Sequence, residues 1–354
     1  MSTNKSTWKK LTSMRLFMPL VCLLAIIIVA TITIPGFLSM SLKNGVPYGY
    51  PVDVINRASE LVILSVGMTL VTAASGGQDI SVGAVMAVAG AVCCQILSGG
   101  EVSVNSLSAP IIVAFLAALV ASGICGAFNG FLVAKLNIQP MVATLILYTA
   151  GRGIAQLITD GQITYIRVKS YQVFGSYVGK FPIPMPVVIA IIVVIIAYVI
   201  LKKTALGLYI ESVGINGTAS RLVGLNSTMI KFLTYLICGV LAGVAGFVAS
   251  SRIYSADANN IGLNLEMDAI LAVALGGNAL GGGKFSLMGS VIGAYTIQAL
   301  TTVLYGLNVS AELPVYKAIV VVVIVVLQSP VFKKFIAVQK EKRTSKAAVK
   351  GGAN

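Results

Sequence analysis

Histidine is absent from this chain of 354 residues, and charged residues make up only 10% of it. The lack of histidine excludes imidazole metal sites, histidine general bases and serine–histidine–aspartate chemistry. The scarcity of charge excludes an ordinary soluble domain, in which about a quarter of the residues are charged. The five cysteines all lie in apolar runs at spacings typical of no metal site, so we expect no metal, no cofactor and no disulfide framework.

Apolar residues are abundant instead. They make up 57% of the chain, and the mean hydropathy is +0.94. The apolar runs are about 20 residues long, the length that a helix needs to cross a bilayer. We therefore predict an all-α polytopic membrane protein with about ten transmembrane helices, some of them broken or short. The net charge of +14 indicates the positive-inside bias of such proteins, and no nucleic-acid partner is expected.

The predicted spans divide the chain into three parts. They are about residues 16–38, 53–74, 80–97, 109–134, 139–158, 185–201, 230–250, 268–276, 285–304 and 314–327. The eighth is short enough for a half-helix. The predicted parts are a cytoplasmic N-terminus (1–15), a transmembrane permease domain (16–330) with a cytoplasmic loop at 202–231, and a cytoplasmic basic tail (331–354). Most of the 25 Lys and Arg residues then lie on the cytoplasmic side, as the positive-inside rule requires.

The loop at 202–231 contains helix signals between two apolar spans. Asn216 is a good N-cap and Gly224 a good C′ residue. Between them Ala219, Leu222 and Val223 fall at i, i+3 and i+4, so a short helix would present one apolar face. Two interpretations stay open from spacing alone. The helix either passes force into the membrane or lies on the lipid surface.

Two ionisable side chains stand inside or between apolar spans. A carboxylate such as Asp79 is costly at membrane depth, so it either caps the helix that follows or lines a substrate path. Arg152, with Gln156 one turn later, either offers donors to sugar hydroxyls or extends towards the outer interface. Asn129 favours contact between helices. The motifs Gly126-x-x-x-Gly130, Gly239-x-x-x-Gly243 and Gly289-x-x-x-Gly293 likewise favour close helix packing.

Two glycine-rich stretches echo each other. Gly76-Gly77 is followed by Gly83, and Gly276-Gly277 is followed at the same spacing by Gly283. Transporters are often built from such repeats with interrupted helices, although chance also produces echoes in a glycine-rich chain. The second stretch, GGNALGGGK, lacks the spacing of a phosphate-binding P-loop, and phenylalanine follows its lysine. We therefore expect that this chain does not bind ATP by itself and is not an enzyme.

Several stretches resemble the permease subunits of bacterial ABC importers for ribose, xylose and galactose, and look most similar to the galactofuranose permeases. They include SGGQDISVGAVMAVAGA, KKTALGLYIESVGINGTASRLVGLN and SADANNIGLNLEMDAILAVALGGNALGGGK, and the resemblance extends over about residues 53–328. It implies two permease chains in the bacterial plasma membrane, a cytoplasmic ABC ATPase, an extracytoplasmic sugar-binding protein and a monosaccharide substrate, with lipid around them.

The resemblance also implies two groups of site residues. The ATPase-coupling residues would be Gly214, Asn216, Ala219, Arg221, Leu222 and Gly224. The candidates for the substrate path would be Gln78, Asp79, Asn129, Arg152, Gln156 and Asn278. Two departures are visible. The glutamate of the coupling loop in other ABC permeases is missing, and Gln78 replaces a residue that is usually apolar.

The predicted function is thus that of a permease subunit in an ATP-driven importer of a pentose or a furanose-form hexose. The alternative is an ion-coupled secondary transporter, which would favour several intramembrane carboxylates. Asp79 is the only clear candidate in the sequence, and this argues against the alternative.

Overall fold

The computed structural model describes residues 16–43, 45–179, 181–307 and 313–328. Its regular structure is almost entirely helical, so the prediction of an all-α polytopic membrane protein is confirmed. The predicted N-terminal segment 1–15 and basic tail 331–354 lie outside the described residues.

The helices follow the predicted spans in order. Within the described ranges they are α1 (Phe17–Thr33), α2 (Tyr50–Ser75), α3 (Val82–Ser98), α4 (Ile111–Ala134), α5 (Pro140–Ile158), α6 (Lys169–Gln172), α7 (Met185–Lys203), α8 (Leu206–Ile215), α9 (Gly217–Leu222), α10 (Ser227–Ile253), α11 (Leu265–Leu275), α12 (Leu287–Gly306) and α13 (Leu313–Gln328). A single 3₁₀ turn, Val173–Gly175, follows α6.

Helix length separates two kinds of span. Among the described residues, α2, α4, α5, α7, α10 and α12 are long and apolar enough to cross a membrane. The helices at the other four predicted spans, α1, α3, α11 and α13, are shorter. With 11 residues, α11 is the predicted half-helix. Short helices joined by irregular backbone are typical of transporters, in which the broken segments face a protein-lined path.

Short strands and surface helices mark the two ends of the bundle. At one end β1 (Ser41–Lys43) pairs with β2 (Val46–Tyr48), and β4 (Thr164–Ile166) lies between β3 (Ser103–Val104) and β5 (Ser255–Ala256). We call this end the strand face. The opposite end carries α8 and α9, and we call it the helical face.

Burial shows which helices form the centre of the bundle. In its most apolar stretch α2 is 89% buried, whereas α7 is 22% buried. The exposed side chains of α7 are themselves apolar, among them Ile195 and Ile196. A helix that is apolar on every side is typical of a membrane span, because lipid replaces water around it.

Small residues allow the central helices to approach closely, as the glycine motifs predict. A Cβ added at Gly126 on α4 would lie 2.5 Å from the Tyr235 carbonyl oxygen on α10. In return, a Cβ at Gly239 on α10 would lie 2.5 Å from the Ser122 carbonyl oxygen on α4. The packing interpretation of these two motifs is confirmed.

Candidate functional site

Two irregular links lie between consecutive helices near the helical face. The first link, residues 76–81, joins α2 to α3, and the second link, residues 276–286, joins α11 to α12. The second link is bonded to the end of α2, just before the first link begins, because the Gly283 N–H donates a hydrogen bond to the Ala73 carbonyl at 2.9 Å. The contact joins the end of a central helix to the loop that follows the half-helix.

Two further contacts join the first link directly to the second link. The Gln78 side-chain amide donates to the Leu280 carbonyl at 3.3 Å. A Cβ added at Gly76 would lie 2.8 Å from the Gly281 carbonyl oxygen. The two glycine-rich stretches that echo each other in the sequence are therefore neighbours in space.

The surface helix α8 ends against the same contact. A Cβ added at Gly214 would overlap the Ala73 carbonyl oxygen and would lie 2.5 Å from the Gly283 nitrogen. A Cβ at Gly282 would lie 3.2 Å from the Gly214 carbonyl oxygen. Glycine is required here because any side chain would push α8 away from the end of α2 and from the second link. We call the residues Ala73, Gly76, Gly214, Gly282 and Gly283 the glycine junction.

Helix α9 begins and ends at the residues that the sequence predicts. The Asn216 side chain accepts hydrogen bonds from the backbone N–H groups of Thr218 and Ala219, at 3.1 and 2.9 Å. Gly224 has a positive φ of 88°, and its N–H donates to the Arg221 carbonyl at 3.0 Å. Both end signals act as the residue types predict.

The apolar face of α9 points away from the protein. Leu222 is 86% exposed, Val223 is 76% exposed, and Ala219 is also exposed. Ser220 faces inward and donates to the Asn216 carbonyl at 2.9 Å. Two large apolar side chains at this level of exposure, on a helix capped at both ends, are typical of a contact surface.

Arg221 holds α9 onto the start of α10. Its Nε donates to Ser227 Oγ at 2.5 Å, and its Nη2 donates to Thr228 Oγ1 at 3.3 Å. These bonds fix the angle between the short helix and the long helix that follows it. Among the coupling candidates, Arg221 is thus a positioning residue in this structure.

Asp79 is buried in the first link and fully engaged by neighbours. Its Oδ1 accepts from the Ser81 N–H at 2.9 Å and from the Ser81 hydroxyl at 2.6 Å. Asn129 on α4 donates to the same Oδ1 at 3.3 Å and to Ser81 Oγ at 2.7 Å. The carboxylate thus holds the backbone just before α3, and Asn129 connects this link to α4 by hydrogen bonds.

Asn278 plays the corresponding part in the second link. Its side-chain oxygen accepts from the Ser286 N–H at 2.5 Å, and its amide donates to Ser290 Oγ at 2.7 Å. Ser290 in turn accepts from the Thr69 hydroxyl of α2 at 2.6 Å. The amide therefore holds the two ends of its own link together.

Arg152 donates hydrogen bonds to backbone carbonyls of the segment between β5 and α11. Its Nη1 donates to the carbonyls of Ala258, Asn259 and Ile261, at 3.1, 2.9 and 3.2 Å. Gln156 donates to the Asn259 side chain at 2.6 Å. The guanidinium clamps the segment between β5 and α11 onto α5, because three carbonyls converge on one nitrogen.

Sequence reasoning missed three carboxylates near the strand face, of which Glu266 is buried and Glu60 and Asp268 are half-buried. Glu60 on α2 lies 2.9 Å from Arg252 on α10, and Asp268 on α11 lies 2.8 Å from Lys317 on α13. Glu266 is completely buried, and neither of its oxygens has a hydrogen-bond partner among the described residues. Within those residues no group of His, Cys, Asp and Glu side chains could hold a metal ion.

The expectation that Asp79 is the only intramembrane carboxylate is therefore wrong. Glu60 lies inside the predicted span 53–74, and this position was the available signal. Asp268 begins the predicted span 268–276, so it also could have been found. Their partners are far along the chain and could not have been identified by spacing.

A junction of broken helices inside a bundle of apolar helices is typical of membrane transport proteins. Comparison with known proteins agrees. The chain belongs to the family described as the branched-chain amino acid transport system / permease component, whose profile matches residues 50–328.

Curated relatives support the same class. The chain is 44% identical to the galactofuranose transporter permease protein YtfT of Escherichia coli over 92% of each chain. It is 39% identical to the fructose import permease protein FruF of Bifidobacterium longum, over 98% of this chain and 96% of the relative. It is 35% identical to the ribose import permease protein RbsC of E. coli, over 87% and 90%. The predicted resemblance to sugar permeases is confirmed.

Proposed function

We propose that this chain is the permease subunit of an ATP-driven importer that carries a monosaccharide across a bacterial plasma membrane. The observation that carries the proposal is the connection from α9 through Gly214 to the end of α2 and the second link. The exposed residues Leu222 and Val223 lie one short helix away from Gly214, whose backbone touches Ala73 of α2 and Gly283 of the second link. A partner that moves α9 would therefore move the backbone at the glycine junction.

The charge distribution supports an orientation with the helical face in the cytoplasm. Lys202, Lys203, Arg221, Lys231 and Lys284 all lie at or near this face. Positive residues are retained on the cytoplasmic side of membrane proteins. Both termini would then be cytoplasmic, with the permease domain at 16–330, its coupling loop at 202–231 and the basic tail at 331–354.

The partners follow from the two faces. A cytoplasmic ABC ATPase would cover Leu222 and Val223, since burial of two such side chains gives about 1.5–3 kcal/mol each. An extracytoplasmic sugar-binding protein would dock on the strand face, and a second permease chain would complete the translocation path. The missing glutamate of the coupling loop leaves an apolar contact in its place.

The substrate would be a neutral sugar, and the relatives favour a pentose or a furanose-form hexose such as galactofuranose. The relatives carry galactofuranose, fructose and ribose in their names. A neutral sugar needs hydrogen-bonding groups without strong countercharges, which suits a path walled by small and amide residues. Gln78 and the links stand where such a path would close at the helical face.

An ion-coupled transporter was the alternative. The additional buried and half-buried carboxylates remove the sequence argument against it, because Glu60, Glu266 and Asp268 join Asp79 in the bundle. The relatives nevertheless favour the importer, since they are import and transporter permeases over nearly their whole length.

The decisive variant is Leu222→Ser combined with Val223→Ser. In membrane vesicles that contain the whole importer, we expect ATP-dependent sugar uptake to fall about tenfold or more, because the ATPase contact loses its apolar centre. Co-purification of the ATPase with the permease should fall in parallel. Leu208→Ser is the matched control, since Leu208 is an exposed leucine on α8. Normal uptake by the double variant would refute the coupling role of α9.

A further inference from the structure

A polar cavity of about 700 Å³ opens at the strand face within this one chain. We call it the outer polar cavity. It lies between the strand-face ends of α2, α10, α11, α12 and α13. Its volume falls in the range of small-molecule sites, about 300–1,000 Å³. The glycine junction lies at the opposite face, so this cavity is separate from the site described above.

The cavity reaches deep into the helix bundle. Tyr50 lines it at the first residue of α2, and Glu60 lines it ten residues further along the same helix. At 1.5 Å per residue, this corresponds to roughly 15 Å, or about half the hydrocarbon thickness of a membrane. Ionisable side chains at such depth are expensive and usually mark a water-filled or solute-filled path.

Every charged side chain that lines the cavity is paired with an opposite charge. Glu60 lies 2.9 Å from Arg252, and Asp268 lies 2.8 Å from Lys317. The third pair is Asp53 with Arg57, at 2.8 Å. Among the residues that the structure describes, the wall therefore offers charge-assisted donors and acceptors but no net charge. An ionic solute would find no countercharge here, whereas a neutral one would find many hydrogen-bonding groups.

The same wall has spare hydrogen-bonding capacity. Glu60 Oε1 and Arg252 Nε are close, yet neither atom has a well-aligned hydrogen bond among the described residues. Tyr50, Tyr305 and Thr301 add hydroxyl groups to the lining. Buried polar atoms without partners are costly unless water or a ligand satisfies them. Aromatic hydroxyls also combine an apolar face with a polar tip.

We propose that the outer polar cavity binds a neutral, polyhydroxylated solute, which in the proposed function is the transported monosaccharide before it crosses the membrane. Hydroxyl groups of such a solute can both donate and accept, so they can bond the carboxylate and guanidinium groups of an ion pair at once. The identification of the solute as the transported one rests on the proposed function. The preference for neutral polyols rests on the cavity alone.

Substituted cysteines test the site in right-side-out vesicles containing the complete importer. Thr301→Cys and Gln298→Cys each place a thiol in the cavity wall, and a small membrane-impermeant thiol reagent measures access. The native cysteines lie in apolar spans, so the unmodified chain gives the background. Leu42→Cys, on the exposed β1–β2 hairpin, is the control.

We expect the reagent to label both cavity thiols, and D-ribose, D-fructose or methyl galactofuranoside to slow the reaction. Protection rises as 1 + [sugar]/Kd, so labelling should slow about twofold at a concentration equal to Kd. The sugars should leave Leu42→Cys unaffected, and sodium gluconate, an anionic polyol, should protect less. Two results would overturn the site: cavity thiols that do not react, or cavity thiols that react equally fast in the presence and absence of each sugar.

ATP-dependent uptake of the same sugars is measured in the same vesicles. Protection without uptake would support the site but refute the proposed function. Uptake without protection would refute the site and leave the proposed function in place. A reagent of opposite charge should label the thiols at a similar rate, because the cavity carries no net charge, and a large difference between the two reagents would contradict the neutral wall.

Discussion

The two links occupy similar positions between broken helices but differ in how firmly they are held. The first link, residues 76–81, is short and mostly buried, and its Asp79 is 2% exposed. The second link, residues 276–286, is longer, and its middle residues, Ala279 to Gly281, are exposed. Asp79 accepts a hydrogen bond from α4, which is not adjacent to its link in the chain, whereas Asn278 bonds only to its own link and to the two helices that the link joins.

This difference indicates that the first link is fixed and that the second link can move. A link that is tied to a neighbouring helix and excluded from solvent is an anchor, because its displacement would break several buried hydrogen bonds at once. The second link is longer and exposed at its middle, and it contains three glycines at positive φ (Gly277, Gly282 and Gly283). We therefore expect the second link to move against the first when α8 is displaced.

The largest expected effect comes from breaking the junction itself. Gly214→Ala places a Cβ on the Ala73 carbonyl, so α8 cannot approach the end of α2 or the second link. ATP-dependent uptake should fall at least a hundredfold, since a backbone clash of this kind separates the two moving parts. Gly217→Ala is the control in the same loop, where a Cβ meets only Ser227 at 4.0 Å. Equal uptake by the two variants would show that the junction transmits nothing.

A second test concerns the anchor. Asp79→Leu removes the acceptor for Ser81 and Asn129, and each unpaired buried group costs about 1–3 kcal/mol. Thermal unfolding of the purified permease should therefore occur at lower temperature. Asp79→Asn keeps an acceptor oxygen and should retain most of both stability and uptake. If Asp79→Asn folds normally but abolishes uptake, the charge has a transport role and the anchor interpretation fails.

Two adjacent glycines of the second link allow a closely matched pair of variants. Gly282 has a positive φ of 92°, whereas Gly281 has no positive φ and open space around it. Gly282→Ala should cost about 1–2 kcal/mol in strain and lower the uptake rate several-fold. Gly281→Ala, one residue earlier, should be close to neutral. Uptake assays on the two variants side by side measure this contrast, and a reversed order would rule out the assigned loop conformation.

The smallest effect is expected at Gln78. Its amide makes one hydrogen bond across the two links, and a single neutral hydrogen bond contributes about 0.5–1.5 kcal/mol. Gln78→Leu, which restores the apolar residue usual in the family, should change the uptake rate less than tenfold. A change of substrate preference in competition assays would instead give Gln78 a role in sugar recognition.

Features set by neighbouring residues were the ones that the sequence predicted well. The order of the spans, the half-helix α11 and both ends of α9 depend on apolar run length and on Asn216 and Gly224. Contacts between distant segments were not predictable from one chain. Arg152 meets carbonyls 106 to 109 residues away, and Arg252 meets Asn56 at a separation of 196 residues. Spacing along the chain contains no information about such pairs.

The most direct measurement of the central claim is a distance between spin labels on the two sides of the junction. One label replaces Met141, beside the first link, and the other replaces Leu280 in the second link; both side chains are accessible. A pair at Leu136 and Met141 serves as the reference. When the assembled importer traps ATP, the distance between the labels at 141 and 280 should change, while the reference distance between 136 and 141 stays constant. If the distance between 141 and 280 stays unchanged in an importer that transports normally, the account is contradicted.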